Sequence, residues 1–386
     1  MEKIQFYIAF YLAKIVFFII KVLKIGSGFT WPGHIALKVY PDILSDSRLS
    51  FKSGTILISG TNGKTTTAKL VTHVLEESGL KVINNRTGAN LMNGIVSEIL
   101  LNLDPLGRNK NDIGVFEIDE NNLPIVLDHI SPNVLVLLNL SRDQLDRYGE
   151  IDIIFDKWVA AIEDLDGVTE LVLDSTQEYF KKLPDHFAGD ITWFGTEGDY
   201  IKHTKLVGNF NVKNVNAAVY TAQLIGVQEK KILAGLKTFD FAYGRGEKIQ
   251  LTKEHSIVVY LAKNPASFNN NLIAIIDKEV SGDSLLIILN DQIPDGRDVS
   301  WIYDINPLLL KKACSNKEVF VAGDRCWDMA ARLNYASVNV SEDNIFENIT
   351  DALSAFSGSE SRNLIALPNY SAMLDLRKIL LGRRIL

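Results

Sequence analysis

One stretch decides the fold of this chain: Ile56-Leu57-Ile58-Ser59-Gly60-Thr61-Asn62-Gly63-Lys64-Thr65-Thr66-Thr67. A short apolar strand runs into a loop bracketed by two glycines, and a helix begins after Lys64. Such a loop surrounds an anion with backbone N–H groups and a helix N-terminus. The loop is shorter than the usual GxxxxGK[ST] pattern, because Ile58 stands where the first glycine would be. The stretch therefore predicts a nucleoside triphosphate site, with an ordinary glycine-rich turn as the alternative.

The residues of this loop have separable predicted roles. Gly60 and Gly63 let the backbone approach phosphate oxygens, where a Cβ would intrude. Lys64 reaches the terminal phosphates, and the Thr65 hydroxyl is a ligand for Mg²⁺. The other nucleotide contacts predicted in the loop are Thr61, Asn62 and Thr66.

The composition is that of a globular protein with two ordinary domains. Its 386 residues are 47% hydrophobic and 23% charged. A formal net charge of −7 argues against general nucleic-acid binding, which needs a basic surface. Cys314 and Cys326 are too few and too far apart for a zinc knuckle or a disulfide scaffold, and they are consistent with a reducing cytosol.

The N-terminus is strongly apolar from Ile4 to Leu23. On a helix turning by about 100° per residue, Lys3, Lys14, Lys21 and Lys24 fall within one quadrant. A wide apolar face beside a lysine stripe suits a helix lying in a membrane interface. A spanning helix would place Lys14 near the bilayer centre, at a cost of ~2.5–3.5 kcal/mol. A helix packed on the protein's own core is the third alternative. We expect membrane-surface contact through residues 4–24.

The remaining chain alternates strands and helices from about Ser53, which predicts a parallel sheet with right-handed crossovers. The strands predicted in this part are 55–59, 81–84, 113–118 and 134–138. A second set begins after Gly244-Arg245-Gly246-Glu247, with predicted strands 257–261, 284–290, 318–322 and 363–366. We therefore expect an α/β protein with a helix and connector over 1–48, a central ATP-binding domain over 49–243 and a smaller α/β domain over 244–386.

Polar residues follow several of the predicted strands. Glu117 ends the strand 113–118, where a carboxylate can hold the Mg²⁺ that bridges β- and γ-phosphates. Helix capping is the alternative, with more weight for Asp119 and Glu120. The asparagines between 208 and 218 can read the donor and acceptor edges of a purine. The loop 290–298 offers carboxylates for acid–base or ammonia-orienting work, with a solvated turn as the alternative.

Taken in order, these segments resemble the Mur ligase superfamily. Its loop pattern GT-x-GK-[ST]-[ST] is matched from Gly60 to Thr66, and its magnesium-binding glutamate is matched by Glu117. Its hinge arginine, which approaches ATP phosphate, is matched by Arg245. The DHLD-type loop and the adenine-side N-x-x-N-A-x-A segment correspond to Asp143-Gln144-Leu145-Asp146 and to residues 211–218. The resemblance thus assigns Asn211 and Asn214 to the nucleotide.

The C-terminal half is similar to one branch of this superfamily, the MurT subunits of lipid II isoglutaminyl synthase. Amino-acid-adding members carry a D-x-A-H-N-P stretch, which here reads Tyr260-Leu261-Ala262-Lys263-Asn264-Pro265. The segments that resemble the MurT branch are 85–90, 142–150, 263–269, 289–304, 323–330 and 367–377. The resemblance runs from about Trp31 to the C-terminus and adds Arg325 to the nucleotide-binding residues.

The resemblance implies an ATP-dependent amidation with Mg²⁺. ATP phosphorylates the α-carboxylate of the D-glutamate in the lipid II stem peptide, and ammonia from a GatD-type glutaminase then gives D-isoglutamine. Lys64 is catalytic, and Asp295 or Asp298 handles the ammonia. Neither cysteine lies in a nucleophile motif, so the nitrogen comes from a partner. We expect a cytoplasmic protein, peripheral on the inner face of the bacterial cell membrane.

Two departures from the family have consequences. The MurT branch usually carries a four-cysteine zinc ribbon, but the stretch 194–208 contains no cysteine, so we expect no structural zinc. The UDP-binding domain of amino-acid-adding members is missing, since about fifty residues cannot hold it. This suits a lipid-linked substrate.

Two alternative functions remain open. The first is a Mur-like or folylpolyglutamate-synthase-like ligase that adds an amino acid, against which the altered D-x-A-H-N-P stretch argues. The second is a non-catalytic, membrane-apposed ATP-binding protein. The intact Lys64, Thr65, Glu117 and Arg245 argue against that second alternative.

Overall fold

The computed structural model describes residues 2–23, 30–85, 89–141, 151–165, 167–240, 244–292 and 295–382. These residues form two six-stranded β-sheets with flanking helices, and an apolar helix precedes the first sheet. The predicted architecture is confirmed: a central parallel-sheet domain, a C-terminal α/β domain and an N-terminal apolar helix. The predicted loop Asp143-Gln144-Leu145-Asp146 lies outside the described residues.

The first sheet is parallel throughout and has the strand order β2-β3-β1-β4-β5-β6. Its strands are β1 (Thr55–Ser59), β2 (Val82–Asn84), β3 (Ile113–Ile118), β4 (Val134–Leu137), β5 (Glu170–Asp174) and β6 (Ile191–Phe194). The helices of this part are α3 (Lys64–Ser78), α4 (Met92–Asn102), α5 (Leu123–Leu127), α6 (Ile151–Glu163), α7 (Asn209–Leu224) and α8 (Glu229–Thr238). Apolar cores lie on both faces of the sheet, so its central strands are buried at every position.

Three neighbouring strands end at one place, which we call the carboxyl edge: the loops 60–63, 119–122 and 138–141. The parallel register aligns Ile58 of β1 with Glu117 of β3 and with Val136 of β4. The loops are joined directly, since the backbone N–H of Thr61 donates to the carbonyl oxygen of Asn139 at 2.9 Å. Ligands of open parallel sheets bind at such edges.

The second sheet has the strand order β11-β10-β9-β12-β8-β7. Its strands are β7 (Arg245–Gln250), β8 (Ser256–Tyr260), β9 (Ser284–Ile288), β10 (Glu318–Ala322), β11 (Ile345–Phe346) and β12 (Asn363–Pro368). The helices of this part are α9 (Pro265–Ile276), α10 (Pro307–Cys314), α11 (Cys326–Tyr335), α12 (Ile349–Ser357) and α13 (Tyr370–Leu381). β7 pairs antiparallel with β8 and is irregular between Arg245 and Glu247. The segment Gly244-Arg245-Gly246-Glu247, which carries the predicted hinge arginine, therefore lies at the edge of this sheet.

Two N-terminal helices cover one side of the central domain. Helix α1 (Glu2–Leu23) packs on α2 (Trp31–Val39), and both contact α4. Phe6 and Phe10 of α1 are fully buried, and the guanidinium of Arg48 lies 4.1 Å from the ring centre of Phe6. Nζ of Lys14 donates to the carbonyl oxygen of Leu103 at 2.9 Å. The predicted apolar helix is thus packed on the protein's own core along one face.

Candidate functional site

The loop 60–63, called the phosphate loop below, is shaped by its two glycines. Gly60 has a φ of 143° and Gly63 a φ of 91°, which L-residues rarely adopt. A Cβ on Gly63 would lie 2.3 Å from Oδ1 of Asn214. A Cβ on Gly60 would lie 3.0 Å from the backbone nitrogen of Asn139. Close contact with these two asparagines therefore requires glycine at both positions.

Lys64 begins α3 at the carboxyl edge, and its ammonium group is buried. Nζ donates to the carbonyl oxygen of Gly60 and, at 2.7 Å, to Oε2 of Glu120. The side chains of Lys64 and Glu120 are 10% and 2% exposed. The predicted phosphate-binding lysine thus has a buried carboxylate partner that sequence analysis did not identify.

Two buried oxygen atoms near the phosphate loop have no hydrogen-bond partner in the described structure: Oε2 of Glu117 and Oγ1 of Thr66. A buried polar atom without a partner is rare and calls for an explanation such as a bound ion. Thr65, the predicted hydroxyl ligand, is half-buried in the first turn of α3. Over the described ranges no three His, Cys, Asp or Glu residues cluster to hold a metal. Nucleotide-bound Mg²⁺ needs only one or two carboxylates, so these residues fit it.

A cavity of about 310 Å³ lies beside Gly63, between the two domains. Phe194 and Phe210 line it from the central domain, and Ala266 and Asn270 from the C-terminal domain. Its volume is within the range of small-molecule sites, and its aromatic side chains offer flat apolar surface to a base. Neither phenylalanine belongs to a motif that the sequence reveals.

The two predicted adenine-side asparagines differ in position. Asn214 lines the cavity, and its Nδ2 donates to Oδ1 of Asn211 at 3.1 Å. Nδ2 of Asn211 donates in turn to the carbonyl oxygen of Val207 at 2.7 Å. Asn211 therefore fixes the orientation of Asn214, which is the one that faces the cavity.

The C-terminal domain reaches the phosphate loop through the start of α9. Nδ2 of Asn264 donates to Oδ1 of Asn62 at 3.1 Å. Asn264 is held in place as the N-cap of α9, because its side chain accepts the N–H of Ser267 at 2.8 Å. The segment Lys263-Asn264-Pro265 therefore lies at the phosphate loop.

Arg245, at the start of β7, is half-buried and lies within electrostatic range of Glu117. Burial lowers the pKa of the Arg245 guanidinium, and the carboxylate of Glu117 opposes this shift. The phenol of Tyr370, at the start of α13, has a pKa raised by burial and then by Glu117 and Asp295. Residues of the C-terminal domain thus lie within electrostatic range of Glu117.

Asp295 and Asp298 have different environments on the loop after β9. Asp295 is 6% exposed, and its carboxylate accepts the backbone N–H groups of Tyr370 at 2.7 Å and Ser371 at 2.8 Å. Burial raises the pKa of Asp295, although these hydrogen bonds oppose it. Asp298 is exposed and accepts the N–H of Ser300 at 2.8 Å, a bond that lowers its pKa. Asp295 therefore lies inside the domain and Asp298 at its surface.

Arg325 precedes α11 and is paired with carboxylates of its own domain. Its Nε lies 2.7 Å from Oδ2 of Asp328, and its Nη1 lies 3.3 Å from Oδ2 of Asp291. The hydrogen bond to Asp328 is the main reason for the raised pKa of Arg325. The described residues that line the cavity beside Gly63 do not include Arg325. Its assignment to the nucleotide stays a prediction.

The chain matches known families over most of its length. The family model described as Mur ligase middle domain matches residues 58–222, and the one described as MurT ligase C-terminal matches 261–373. The lipid II isoglutaminyl synthase (glutamine-hydrolyzing) subunit MurT of Staphylococcus aureus (strain COL) is 30% identical over 89% of this chain and 90% of that relative. The chain belongs to the MurT family. The MurT subunit of Streptococcus pneumoniae (strain ATCC BAA-255 / R6) is 27% identical over 94% of each chain.

Membership of the MurT family makes this protein an ATP-dependent ligase of peptidoglycan biosynthesis. Solved structures share its fold. MurF from Acinetobacter baumannii matches with a TM-score of 0.69 at 18% identity, covering 90% of this chain and 79% of MurF. Folylpolyglutamate synthase from Mycobacterium tuberculosis matches with a TM-score of 0.66 at 14% identity, covering 90% and 94% of the two chains. These two structures show the fold alone.

Proposed function

We propose that this protein amidates the α-carboxylate of the D-glutamate in the lipid II stem peptide, giving D-isoglutamine. The observation that carries the proposal is the contact between Asn62 and Asn264, because it brings Lys263-Asn264-Pro265 to the phosphate loop. Amino-acid-adding Mur ligases carry an aspartate and a histidine in this stretch, where this chain has Tyr260 and Lys263. A site changed in this way fits ammonia as the nitrogen nucleophile. The names of the MurT relatives support the same reaction.

In the first step, a carboxylate oxygen of the substrate attacks the γ-phosphorus of ATP, and ADP leaves. Lys64 and the backbone N–H groups at the start of α3 hold the phosphates, and Arg245 balances the charge of the transferred group. Glu117, Thr65 and Thr66 would hold Mg²⁺. When bound, the ion neutralises charge on the β- and γ-phosphates.

The resulting acyl phosphate is a better electrophile than a carboxylate, because phosphate is a good leaving group. Ammonia attacks its carbonyl carbon, the C–O bond to phosphate breaks, and the nitrogen loses one proton. Asp295 is buried and accepts the N–H of Tyr370, whose pKa is influenced by the charge of Glu117. Asp295 is therefore better placed than Asp298 to orient ammonia or take up this proton. Asp298 lies outward, where it can act on ammonia before it enters the site.

A partner subunit must supply the ammonia. The MurT relatives are named as subunits of a glutamine-hydrolysing synthase, which implies a partner, and we propose a GatD-type glutaminase. The two cysteines of this sequence cannot replace it, because both are buried. Burial raises the pKa of the Cys314 thiol to about 12 and also raises that of Cys326, which disfavours the thiolate.

The surface around Asp298 fits such a partner. Tyr303, Trp327 and Tyr335 are 52%, 56% and 76% exposed, and the rings of Tyr303 and Tyr335 are 6.2 Å apart. Exposed aromatic side chains of this kind are typical of interface anchors. Asp298 lies within electrostatic reach of Arg325, which precedes Trp327 by two residues. We propose that the glutaminase binds here and releases ammonia next to Asp298.

The first test is direct. Purified protein is incubated with lipid II, ATP, Mg²⁺ and a high concentration of ammonium, and the lipid is analysed by mass spectrometry. An acid-to-amide mass change with matching ADP release supports the proposal. Lys64→Ala should abolish both, whereas Lys181→Ala, which removes an exposed lysine, should not. Turnover that requires an amino acid in place of ammonia would identify an amino-acid-adding ligase.

The same assay repeated with a GatD-type glutaminase and glutamine tests the partner. We expect amidation without added ammonium, and Trp327→Ala should reduce it while leaving the ammonium-driven reaction intact. If Trp327→Ala is as active as the unmodified chain in both the glutamine-driven and the ammonium-driven reaction, the proposed binding surface is refuted. No amidation under either condition would refute the proposed reaction and favour a non-catalytic ATP-binding role.

A further inference from the structure

Helix α1 has two opposite faces with different surroundings. Phe6, Ala9, Phe10 and Ala13 are fully buried against the domain. The opposite face carries apolar residues that are 48–67% exposed: Ile4, Ile8, Tyr11, Ile15, Phe18 and Val22. The helix has a mean hydropathy of 2.1 over its most apolar window, only 22% of which is buried. An exposed apolar face of this length marks an interaction surface.

The direction of α1 follows from the position of its first turns. The first turns of α1 lie beside the segment that follows α4, because a Cβ on Gly107 would lie 3.2 Å from ring atoms of both Phe6 and Tyr7. At the start of α2, a Cβ on Gly33 would lie 1.9 Å from the carbonyl oxygen of Asn93, in the first turn of α4. Helix α4 begins near the carboxyl edge because it follows β2 in a parallel sheet. Helix α1 therefore runs towards the carboxyl edge.

Two more exposed apolar residues lie at that end. Trp31 at the start of α2 is 59% exposed, and Leu91 just before α4 is 40% exposed. The carbonyl oxygen of Asn90 accepts the N–H of Asp119 at 2.9 Å. Leu91 therefore directly follows a residue that is hydrogen-bonded to the acidic loop after β3. Exposed apolar side chains thus extend from α1 to the carboxyl edge.

Charge and anchoring indicate what covers this face. Lys3 and Lys21 are exposed and lie beside the apolar residues on the helix, where they complement anionic lipid headgroups. Two contacts hold the middle of the helix against the domain. Lys14 donates to the carbonyl oxygen of Leu103 at 2.9 Å, and the Tyr11 hydroxyl donates to that of Pro105 at 3.2 Å. A helix held in this way can lie in a bilayer surface but cannot cross the bilayer.

We propose that the exposed face of α1, continued by Trp31 and Leu91, lies in the headgroup–acyl boundary of an anionic lipid bilayer. The carboxyl edge is thereby held at the membrane surface. The carboxylate of a lipid-linked substrate then reaches the phosphate loop while its lipid chain stays in the bilayer. This last step rests on the proposed function, whereas the membrane contact does not.

The membrane contact is tested with the full chain and vesicles of phosphatidylglycerol and phosphatidylcholine in equal parts, by co-flotation. Val22→Glu should weaken binding by about tenfold or more, since a charge enters the apolar layer. Val168→Glu is the matched control, because Val22 and Val168 are 61% and 72% exposed and only Val22 lies on α1. Equal binding of the two variants, or no binding of the unmodified chain, would overturn the proposal. So would self-association through α1 without vesicle binding, or retention in vesicles at alkaline carbonate, which indicates a spanning helix.

Substrate delivery is tested separately, with ammonium-driven amidation of lipid II in vesicles and of a short-chain, water-soluble analogue. Val22→Glu should lose activity on the vesicle substrate while keeping that on the soluble analogue. Equal activity of this variant and the unmodified chain on both substrates would refute delivery through the membrane. If the unmodified chain binds vesicles but amidates neither substrate, the proposed function fails and the membrane contact stands.

Discussion

The pair of Lys64 and Glu120 makes a sharp prediction, because the chain offers a second lysine–glutamate pair of similar geometry. Nζ of Lys64 lies 2.7 Å from Oε2 of Glu120, and Nζ of Lys181 lies 2.6 Å from Oε1 of Glu178. Burial distinguishes them: the side chains are 10% and 2% exposed in the first pair, and 55% and 81% in the second. The perturbations to compare are Glu120→Gln and Glu178→Gln.

The two substitutions should differ strongly in their effect on the free energy of unfolding. Removing one partner of a buried ion pair leaves an uncompensated charge and costs about 3–5 kcal/mol, whereas exposed pairs contribute about 0.2–1 kcal/mol. Glutamine keeps one oxygen acceptor near Lys64, so we expect about 3 kcal/mol for Glu120→Gln. In a domain of roughly 150–250 residues this corresponds to a Tm lower by about 6–12 °C. Glu178→Gln should lower Tm by a few degrees at most.

Thermal unfolding followed by circular dichroism, with and without Mg-ATP, measures both effects. ATP phosphates can take the place of the Glu120 carboxylate around the Lys64 ammonium. Mg-ATP should therefore raise the Tm of Glu120→Gln more than that of the unmodified chain or of Glu178→Gln. Equal destabilisation by the two substitutions would refute the buried pair. Equal stabilisation of all three proteins by Mg-ATP would refute the role of Lys64 at the phosphates.

Further predictions concern the loops, acid stability and metal content. Gly63→Ala should weaken ATP binding by about tenfold or more in calorimetry, whereas Gly79→Ala, also at positive φ but in open space, should not. Asp295→Asn and Asp298→Asn should slow ammonium-driven amidation without changing ATP affinity; if neither slows it, the loop is only a turn. The pKa of Asp104 is lowered from 3.8 to about 2, chiefly by the N–H of Arg108. Its stabilising contribution is thus complete above pH 3.8 and lost towards pH 2, so Asp104→Asn should flatten the fall in Tm over that range. Elemental analysis of the purified protein should find no stoichiometric zinc.

The central strands of both sheets could be predicted because buried strands have a recognisable apolar sequence. β1 and β3 are buried at every position, so they appear as short apolar runs bounded by polar or turn residues. β7 leaves no such mark: it is an edge strand with the sequence Arg245-Gly246-Glu247-Lys248-Ile249-Gln250 and one buried residue. β11 has two residues, too few for a pattern. β5 was also not predicted, although it is apolar at its centre.

The site could be predicted only where one local segment determines the chemistry. The phosphate loop is such a segment, since strand, glycines, lysine and helix are consecutive. In the sequence, helix capping has more weight for Glu120 than for Glu117, and the pairing of Glu120 with Lys64, 56 residues away, leaves no local pattern. Phe194 and Phe210 belong to β6 and α7, and their shared cavity exists only after the sheet is assembled. Tertiary contacts of this kind leave no periodicity to detect.

Helix α13 connects the segment 244–247, which carries the hinge arginine, with the loop that carries Asp295. Its first two N–H groups bind Asp295, and Arg377 binds Glu247 of the hinge at 2.9 Å. Gly244 lies so close to the helix that a Cβ would be 2.2 Å from the sulfur of Met373. The segment 244–247 and the loop that carries Asp295 are therefore both attached to this helix, and the charge of Glu117 contributes to the raised pKa of its first residue, Tyr370. A shift of α13 would move Arg245 and Asp295 together relative to the phosphate loop, so the groups proposed for the two chemical steps are positioned by one element.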